Sequence, residues 1–333
     1  MYKPDFKNLR SVLLCEDKKT VPLIELHINE EFKQKYFKKQ DINLEDNIRM
    51  SMELGYDFVL VSKGLLKPAQ SIGKTTEKDG KLWAGENDSI INKIEDIEKY
   101  NWMDPDNEDF SEFYMLKNLM PDGMKVIATC GKIFTASWML LGFNNFCFYL
   151  YEDINLVKKL FKKVGQIQYR IFEKMSDFDI TGAVAAVDDI AYTEGLMLSA
   201  AFLRQNLFPW YEKMGTICKK KNIPFIYHSD GDITEVIDDL IDCGFNAIHP
   251  VEPKAIKIDE MQKKYNGKLC FLGNIEMDTL IRGTVKEVEE LVRANLGLFA
   301  REGYYACGSS NTITEAMPVE NVIAMCRTVK QEH

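Results

Sequence analysis

The sequence predicts an α/β protein folded as a (β/α)8 barrel (TIM barrel), on two observations. Eight short apolar runs occur along the chain, most of them followed by a helical pattern, and polar residues follow each run. Buried parallel strands have continuous apolar sequences, and each needs a crossover connection to the next strand. In order, the predicted strands are residues 21–26, 56–61, 125–129, 182–187, 223–227, 246–248, 268–272 and 303–306.

The length and the connections predict a single domain. A chain of 333 residues is within the size range of one α/β barrel that carries an insertion. Lys78-Asp79-Gly80-Lys81 has the composition of a hairpin turn and lies between the second and third predicted strands. We therefore expect one barrel domain over residues 1–333, with an N-terminal extension and an inserted segment around residues 64–120.

Composition excludes several classes of partner. Asp and Glu number 51 against 42 Lys and Arg, a net charge of -9, and no basic cluster is interleaved with aromatic residues, so we expect no nucleic-acid partner. The eight cysteines include no Cys-x-x-Cys pair and the N-terminus lacks a signal-peptide core, which predicts a cytoplasmic protein. The most apolar window, 133–151, is interrupted by polar residues, so we expect a buried or lid helix and no membrane span.

Ionisable and polar residues follow the predicted strands. Apart from His333, every histidine lies just after one of the apolar runs. The carboxyl ends of barrel strands converge on one mouth, where active-site residues lie. We expect the site there to draw on His27, Lys63, Cys130, Asp188, Asp189, His228, Asp230, His249, Glu252, Asn274, Glu276, Cys307 and Ser309.

The strongest catalytic candidates are carboxylates and one histidine. His228 and Asp230 could bind a metal or substrate, or could instead bond to backbone and cap the next helix. Asp188 and Asp189 are adjacent and cannot both point inward from a regular strand, so one is expected at the site and the other as a cap of a helix beginning near residues 192–195. Glu252 is either a ligand or general acid, or a carboxylate that fixes its loop.

Further residues are candidates for binding. Cys307 could be a thiolate ligand or a buried core cysteine. Phe134 and Trp138 could sandwich a planar substrate or simply pack in the core. Ser309 belongs to a Gly-Ser-Ser-Asn segment whose backbone N–H groups could hold an anion. We expect substrate contacts from His27, Phe134, Trp138, Asn274 and Ser309.

Several segments together resemble one known family. They occur in the order 134–142, 188–192, 202–211, 228–231, 249–253, 272–275, 308–311 and 317–321. In this order they resemble the uroporphyrinogen decarboxylase superfamily. The opening segment lacks the arginine-rich motif expected for binding a polycarboxylate porphyrinogen. The closer likeness is to the cobalamin-dependent methyltransferase branch, which includes the methyltransferases of O-demethylases.

The resemblance implies a metal site and a protein partner. Thiol-directed members carry His-x-Cys where this chain has His228-x-Asp230, and harder ligands suit a zinc ion that polarises oxygen. Zinc is thus expected on some subset of His228, Asp230, Glu252 and Cys307, with Asp188 or Asp189 and His27 positioning substrate. The implied reaction moves a methyl group from a small donor, such as a methoxylated aromatic, to the Co(I) corrinoid of a partner protein.

Alternatives to this function stay open at this stage. One is a decarboxylase-like lyase that needs no metal, and another is methyl transfer from a methylcorrinoid to a thiol or folate. The oligomeric state also stays open, with a homodimer as one option.

Overall fold

The computed structural model describes residues 2–17, 19–65, 75–78, 81–84, 89–300 and 303–332. Its strands are β1 (Phe58–Ser62), β2 (Thr75–Lys78), β3 (Lys81–Ala84), β4 (Lys125–Cys130), β5 (Thr181–Val187), β6 (Ala191–Tyr192), β7 (Gly195–Leu196), β8 (Phe225–His228), β9 (Ala247–His249), β10 (Cys270–Ile275) and β11 (Tyr305–Ser309). Its helices are α1 (Phe6–Leu13), α2 (Glu30–Phe37), α3 (Leu44–Leu54), α4 (Ile94–Lys99), α5 (Ser111–Leu119), α6 (Ile133–Leu141), α7 (Phe143–Glu152), α8 (Ile154–Asp177), α9 (Ala200–Asn206), α10 (Phe208–Lys221), α11 (Ile237–Asp242), α12 (Ile258–Tyr265), α13 (Met277–Arg282), α14 (Val285–Phe299) and α15 (Val319–Gln331).

Seven strands form one curled parallel sheet in the order β1-β4-β5-β8-β9-β10-β11. Seven of the eight predicted strands correspond to these, so the α/β class is confirmed and the fold is TIM-barrel-like. Most residues of these strands are buried and many are apolar, as Val126, Val184 and Phe225 illustrate. Such strands pack on both faces, which explains why they were recognisable as continuous apolar runs.

The predicted first strand is the exception. Residues 21–26 make a single parallel bridge, between Leu23 and Cys307, and not a full ladder. Two backbone bonds hold this segment, from Ile24 N to Cys307 O and from Cys307 N to Pro22 O, both at 2.9 Å. Pro22 has no N–H to extend the ladder. Among the described residues no ladder joins this segment to β1, so the predicted closed barrel is instead a curled sheet with an open seam.

A buried carboxylate anchors the same segment to the last strand. The Glu25 side chain is fully buried, and its carboxylate accepts hydrogen bonds from Ser309 N at 2.7 Å and Ser309 Oγ at 2.8 Å. Burial raises the pKa of Glu25 to about 8, against the opposing effect of the two Ser309 bonds. Glu25 therefore favours its protonated form in the fold.

Replacing Glu25 with Gln should change how stability depends on pH. The folded-state pKa lies above the ordinary value of 4.5, so Glu25 contributes stability that is complete below that value and is lost as pH rises through about 8. Gln resembles the protonated carboxyl and does not titrate. We expect the unfolding free energy of the Glu25→Gln protein, relative to that of the parent, to increase by on the order of 2–4 kcal/mol as pH rises from about 5 to about 8. Urea unfolding at the two pH values measures this difference. A difference that is the same at both pH values would contradict this role.

The predicted insertion contains a two-stranded hairpin. Strands β2 and β3 pair antiparallel, with Lys78 opposite Lys81, as the predicted turn requires. Residues 79 and 80 of that turn lie outside the described residues.

The apolar window at 133–151 folds as two helices, α6 and α7, bent by 93°. No single helix in the described parts of the chain has the length and apolar character to cross a membrane, although the two helices of this bent pair have both when taken together.

Candidate functional site

Three side chains with metal-ligand chemistry meet at the carboxyl ends of β5 and β8. One ligand-type atom from each of Asp189, His228 and Asp230 lies within 4.8 Å of the other two. His228 Nε2 is 3.6 Å from Asp189 Oδ1 and 3.8 Å from Asp230 Oδ1. These separations exceed hydrogen-bond length and suit atoms that share one ion about 2.0–2.2 Å from each. We call these three residues the acidic triad.

Strand register brings the triad together. In the pairing of β5 with β8, Val187 lies opposite His228, so Asp189 follows β5 beside the turn that carries Asp230. Asp189 Oδ1 accepts a hydrogen bond from Asp230 N at 3.0 Å. Asp230 Oδ1 in turn accepts one from Asn311 Nδ2 at 2.9 Å. Each carboxylate therefore has a fixed direction.

The electrostatics of the triad favour a bound cation. Burial, followed by the charge of Asp189, raises the pKa of Asp230, while His228 and Asn311 act in the opposite direction. A divalent cation would neutralise the two neighbouring carboxylates. One imidazole nitrogen with carboxylate oxygens is a donor set that fits zinc, so the residues present suit the predicted metal.

His249 contacts the ring of His228 and orients it. The two Nδ1 atoms are 2.8 Å apart and the rings stack with a 25° interplanar angle. His249 is fully buried, which lowers its pKa well below the ordinary value, so it is neutral. With His228 Nδ1 engaged in this contact, Nε2 is the nitrogen that faces the two carboxylates. A partner on the second ring nitrogen is the usual way of orienting a metal-ligating histidine.

Asp188 has a different task from Asp189. Its buried carboxylate accepts hydrogen bonds from the backbone N–H groups of residues 133, 134 and 135 at 2.7–2.9 Å, and from Tyr211 Oη at 2.8 Å. Burial raises its pKa to about 6 although these donors oppose the shift. Asp188 therefore caps α6, whereas residues 192–195, where a capped helix was predicted, belong to the β6–β7 hairpin. Asp189 is the aspartate that the structure brings to the acidic triad.

Two predicted metal ligands, Glu252 and Cys307, are not members of the triad. Glu252 lies beside it, where its Oε1 accepts a hydrogen bond from Gly231 N at 3.0 Å. Burial, followed by the Asp230 charge, raises the pKa of Glu252. Cys307 is fully buried on β11, and burial raises its pKa to about 12, which keeps a thiol rather than the thiolate that binds metal. Among the described residues, Cys307 does not join the cluster.

A pocket of about 470 Å³ opens directly onto the triad. Trp138 and Phe143 meet edge to face on its wall, with ring centroids 5.6 Å apart. Tyr192 and Met197 reach it from the β6–β7 hairpin and are partly exposed. The complete lining is Thr135, Trp138, Phe143, Asp189, Ala191, Tyr192, Thr193, Met197, Asp230, Gly231, Glu252 and Asn311.

Three other residues predicted to contact substrate make their contacts outside the pocket. Phe134 is fully buried against Phe146 and Phe161 in the core. Asn274 donates from Nδ2 to Val251 O at 2.9 Å, and Ser309 binds Glu25 as described above. Of the predicted substrate contacts, the structure thus brings Trp138 alone into the pocket lining.

His27 lies at the open seam. It lines a separate cavity of about 140 Å³ between the first segment and β1, and its side chain is exposed. Neighbouring residues remove water from part of the His27 ring, and this desolvation, together with the charges of Lys33 and Lys132, lowers the pKa of His27.

Sequence reasoning missed several pocket residues. Asn311 closes the Gly-Ser-Ser-Asn segment, but its amide reaches across the mouth to Asp230, a contact that no local pattern indicates. Phe143 lies in the apolar window 133–151, where nothing in the sequence distinguishes a pocket residue from a core residue. The two-residue strands of the β6–β7 hairpin are too short to show a strand pattern.

A sequence profile described as "Uroporphyrinogen decarboxylase (URO-D)" matches residues 26–332, nearly the whole chain. The chain belongs to the uroporphyrinogen decarboxylase family. The resemblance noted in the sequence is therefore confirmed at the level of the family.

A solved structure of a known protein shares the architecture. A methyltransferase from Methanosarcina mazei superimposes on this chain with a TM-score of 0.72 at 15% identity, and the match covers 99% of each chain. This chain and that enzyme therefore share one fold. A D-psicose 3-epimerase from Clostridium cellulolyticum H10 gives a TM-score of 0.44 at 9% identity over 87% of this chain and 93% of that one, too low to carry an argument. No curated protein sequence matches this chain.

Proposed function

We propose that the protein is a methyltransferase that moves a methyl group from a methoxylated aromatic donor to the Co(I) corrinoid of a partner protein. The observation that carries the proposal is the acidic triad at the base of a pocket walled by Trp138 and Phe143. Membership of the uroporphyrinogen decarboxylase family and the fold shared with a methyltransferase from Methanosarcina mazei support it.

The reaction requires help for the leaving group. In the proposed reaction the C–O bond of the donor would break, its electron pair would leave with the oxygen as a phenolate, and the methyl group would pass to the Co(I) corrinoid, which would supply the nucleophile. A zinc ion held by Asp189, His228 and Asp230 would supply Lewis acidity for that oxygen. The chain's own residues do the rest, since His249 orients His228, and Asn311 and the Asp230 amide orient the two carboxylates.

The pocket walls would position the donor. A flat ring of six carbons could pack against Trp138 and Phe143, which both line the pocket. The pocket opens onto the triad, so a methoxy group on such a ring can approach it. The partner's corrinoid would approach from the open mouth of the barrel.

The predicted alternatives find less support. A polycarboxylate tetrapyrrole would need basic residues, but none of the described residues that line the pocket is Lys, Arg or His. Transfer to a thiol is typical of zinc sites with thiolate ligands, and Cys307 is buried away from the triad.

The proposal is tested by following methylation of Co(I) cobalamin spectroscopically. The protein is stripped with a chelator, reloaded with zinc, and mixed with Co(I) cobalamin and 2-methoxyphenol. We expect methylcobalamin and the demethylated phenol in equal amounts, and a rate that falls with chelation and returns with zinc. If the zinc-loaded protein methylates no cobalamin, free or protein-bound, from methoxylated aromatics, the proposal is wrong.

A further inference from the structure

We propose that the pocket selects an electrically neutral aryl methyl ether, and that Glu252 excludes donors that carry a carboxylate. This inference rests on the proposed methyltransferase function and specifies its substrate class. It follows from the charges around the pocket, the position of Glu252, and the chemistry available at the triad.

The charges that line the pocket all have one sign. Asp189, Asp230 and Glu252 are the charged lining residues, and among the described residues no cation joins them. A divalent ion on the triad would offset the charges of Asp189 and Asp230. Glu252 would then remain as a carboxylate with no partner of opposite charge in the pocket, and a second carboxylate beside it would be repelled.

Glu252 is held in place at the pocket. Its Oε1 accepts the Gly231 N–H bond at 3.0 Å, which fixes the carboxylate next to the turn that carries Asp230. The nearest basic residue along the chain, Lys254, instead pairs with Glu276 at 3.2 Å. No described residue forms a salt bridge with Glu252. The position of this charge is therefore set by backbone and does not depend on a mobile counter-ion.

The remaining walls suit an uncharged aromatic ring. Trp138, Phe143, Tyr192 and Met197 give apolar and polarizable surface, and Asn311 and Thr193 are neutral. Aromatic faces beside carboxylates would also accept a quaternary ammonium. An ammonium, however, leaves as a neutral amine and has no oxygen for a Lewis acid to polarise, so the triad would have no task. A neutral ether uses every feature of the site.

The test compares two donors that differ by one carboxylate. Binding of 2-methoxyphenol and of 4-hydroxy-3-methoxybenzoate to the zinc-loaded protein is measured by calorimetry, with choline as a cationic probe. We expect 2-methoxyphenol to bind at least about tenfold more tightly than the benzoate. In Glu252→Gln we expect this ratio to fall to about threefold or less, because the fixed charge is gone while the shape is kept. Glu290→Gln, an exposed residue on α14, should leave the ratio unchanged.

Three outcomes would overturn the inference. They are tighter binding of the benzoate, an unchanged ratio in Glu252→Gln, and choline binding more tightly than either aromatic. If instead the neutral donor is preferred and Glu252→Gln removes the preference, the inference stands even when no cobalamin is methylated. That last result would reject the proposed function alone, because the calorimetric readout does not depend on turnover.

Discussion

A His228→Ala protein should lose its bound metal and, with it, methyl transfer by a factor on the order of 10²–10³. His228 supplies the one nitrogen of the acidic triad, and its ring is already oriented by His249. Without it, two carboxylates remain at the site, a set that binds zinc more weakly than a site with an imidazole ligand. Metal content by mass spectrometry after purification, and the initial rate of cobalamin methylation, are the two measurements.

The matched comparison is Cys307→Ala. Cys307 is the one predicted ligand that would bind metal through sulfur, yet it is buried on β11 apart from the triad. We expect the Cys307→Ala protein to keep its metal. Metal retained by His228→Ala, or lost from Cys307→Ala, would instead support a site built around the thiolate.

Replacing Asp188 with Asn should destabilise the fold by roughly 3–5 kcal/mol. The carboxylate accepts four hydrogen bonds at α6 and from Tyr211, whereas an Asn side chain must turn its NH₂ group toward some of those donors. Buried donors that lose their acceptor retain the full cost of leaving water. Urea unfolding at neutral pH measures the loss.

Asp189→Asn is the control for that measurement, because it changes the next residue in the same way. Its side chain is 43% exposed, so we expect less than about 1 kcal/mol of change in unfolding free energy. Its effect should appear in metal binding. Equal destabilisation by the two variants would contradict the assignment of Asp188 to the start of α6 and of Asp189 to the triad.

The position of the candidate site follows from a simple signal in the sequence. Apolar runs mark buried strands, and in a parallel sheet the residues that follow them meet at one edge. On this basis the sequence predicts that His228 and Asp230 lie at the same edge, and in the structure both belong to the acidic triad. The closed barrel was not realised, since residues 21–26 pair with β11 through a single bridge and, among the described residues, form no ladder with β1.

Side-chain direction was harder to predict than position. The pleat shows that Asp188 and Asp189 differ in direction but not which of them faces the pocket. Cys307 and Ser309 are two residues apart on β11 and so lie on one face, which here is the buried face beside Glu25. Which face of a strand turns toward Glu25 depends on tertiary packing that one sequence does not encode locally.

The pair of adjacent aspartates has a consequence for the energetics of binding. Asp188 holds the start of α6, the helix that carries Thr135 and Trp138, while the next residue is part of the acidic triad. One peptide unit thus joins the aromatic wall of the pocket to its ligand-bearing base. Wall and base are preorganised relative to each other before any donor arrives. In the proposed reaction, binding would therefore lose little conformational entropy in ordering the site, and more of the contact energy would remain for aligning the donor.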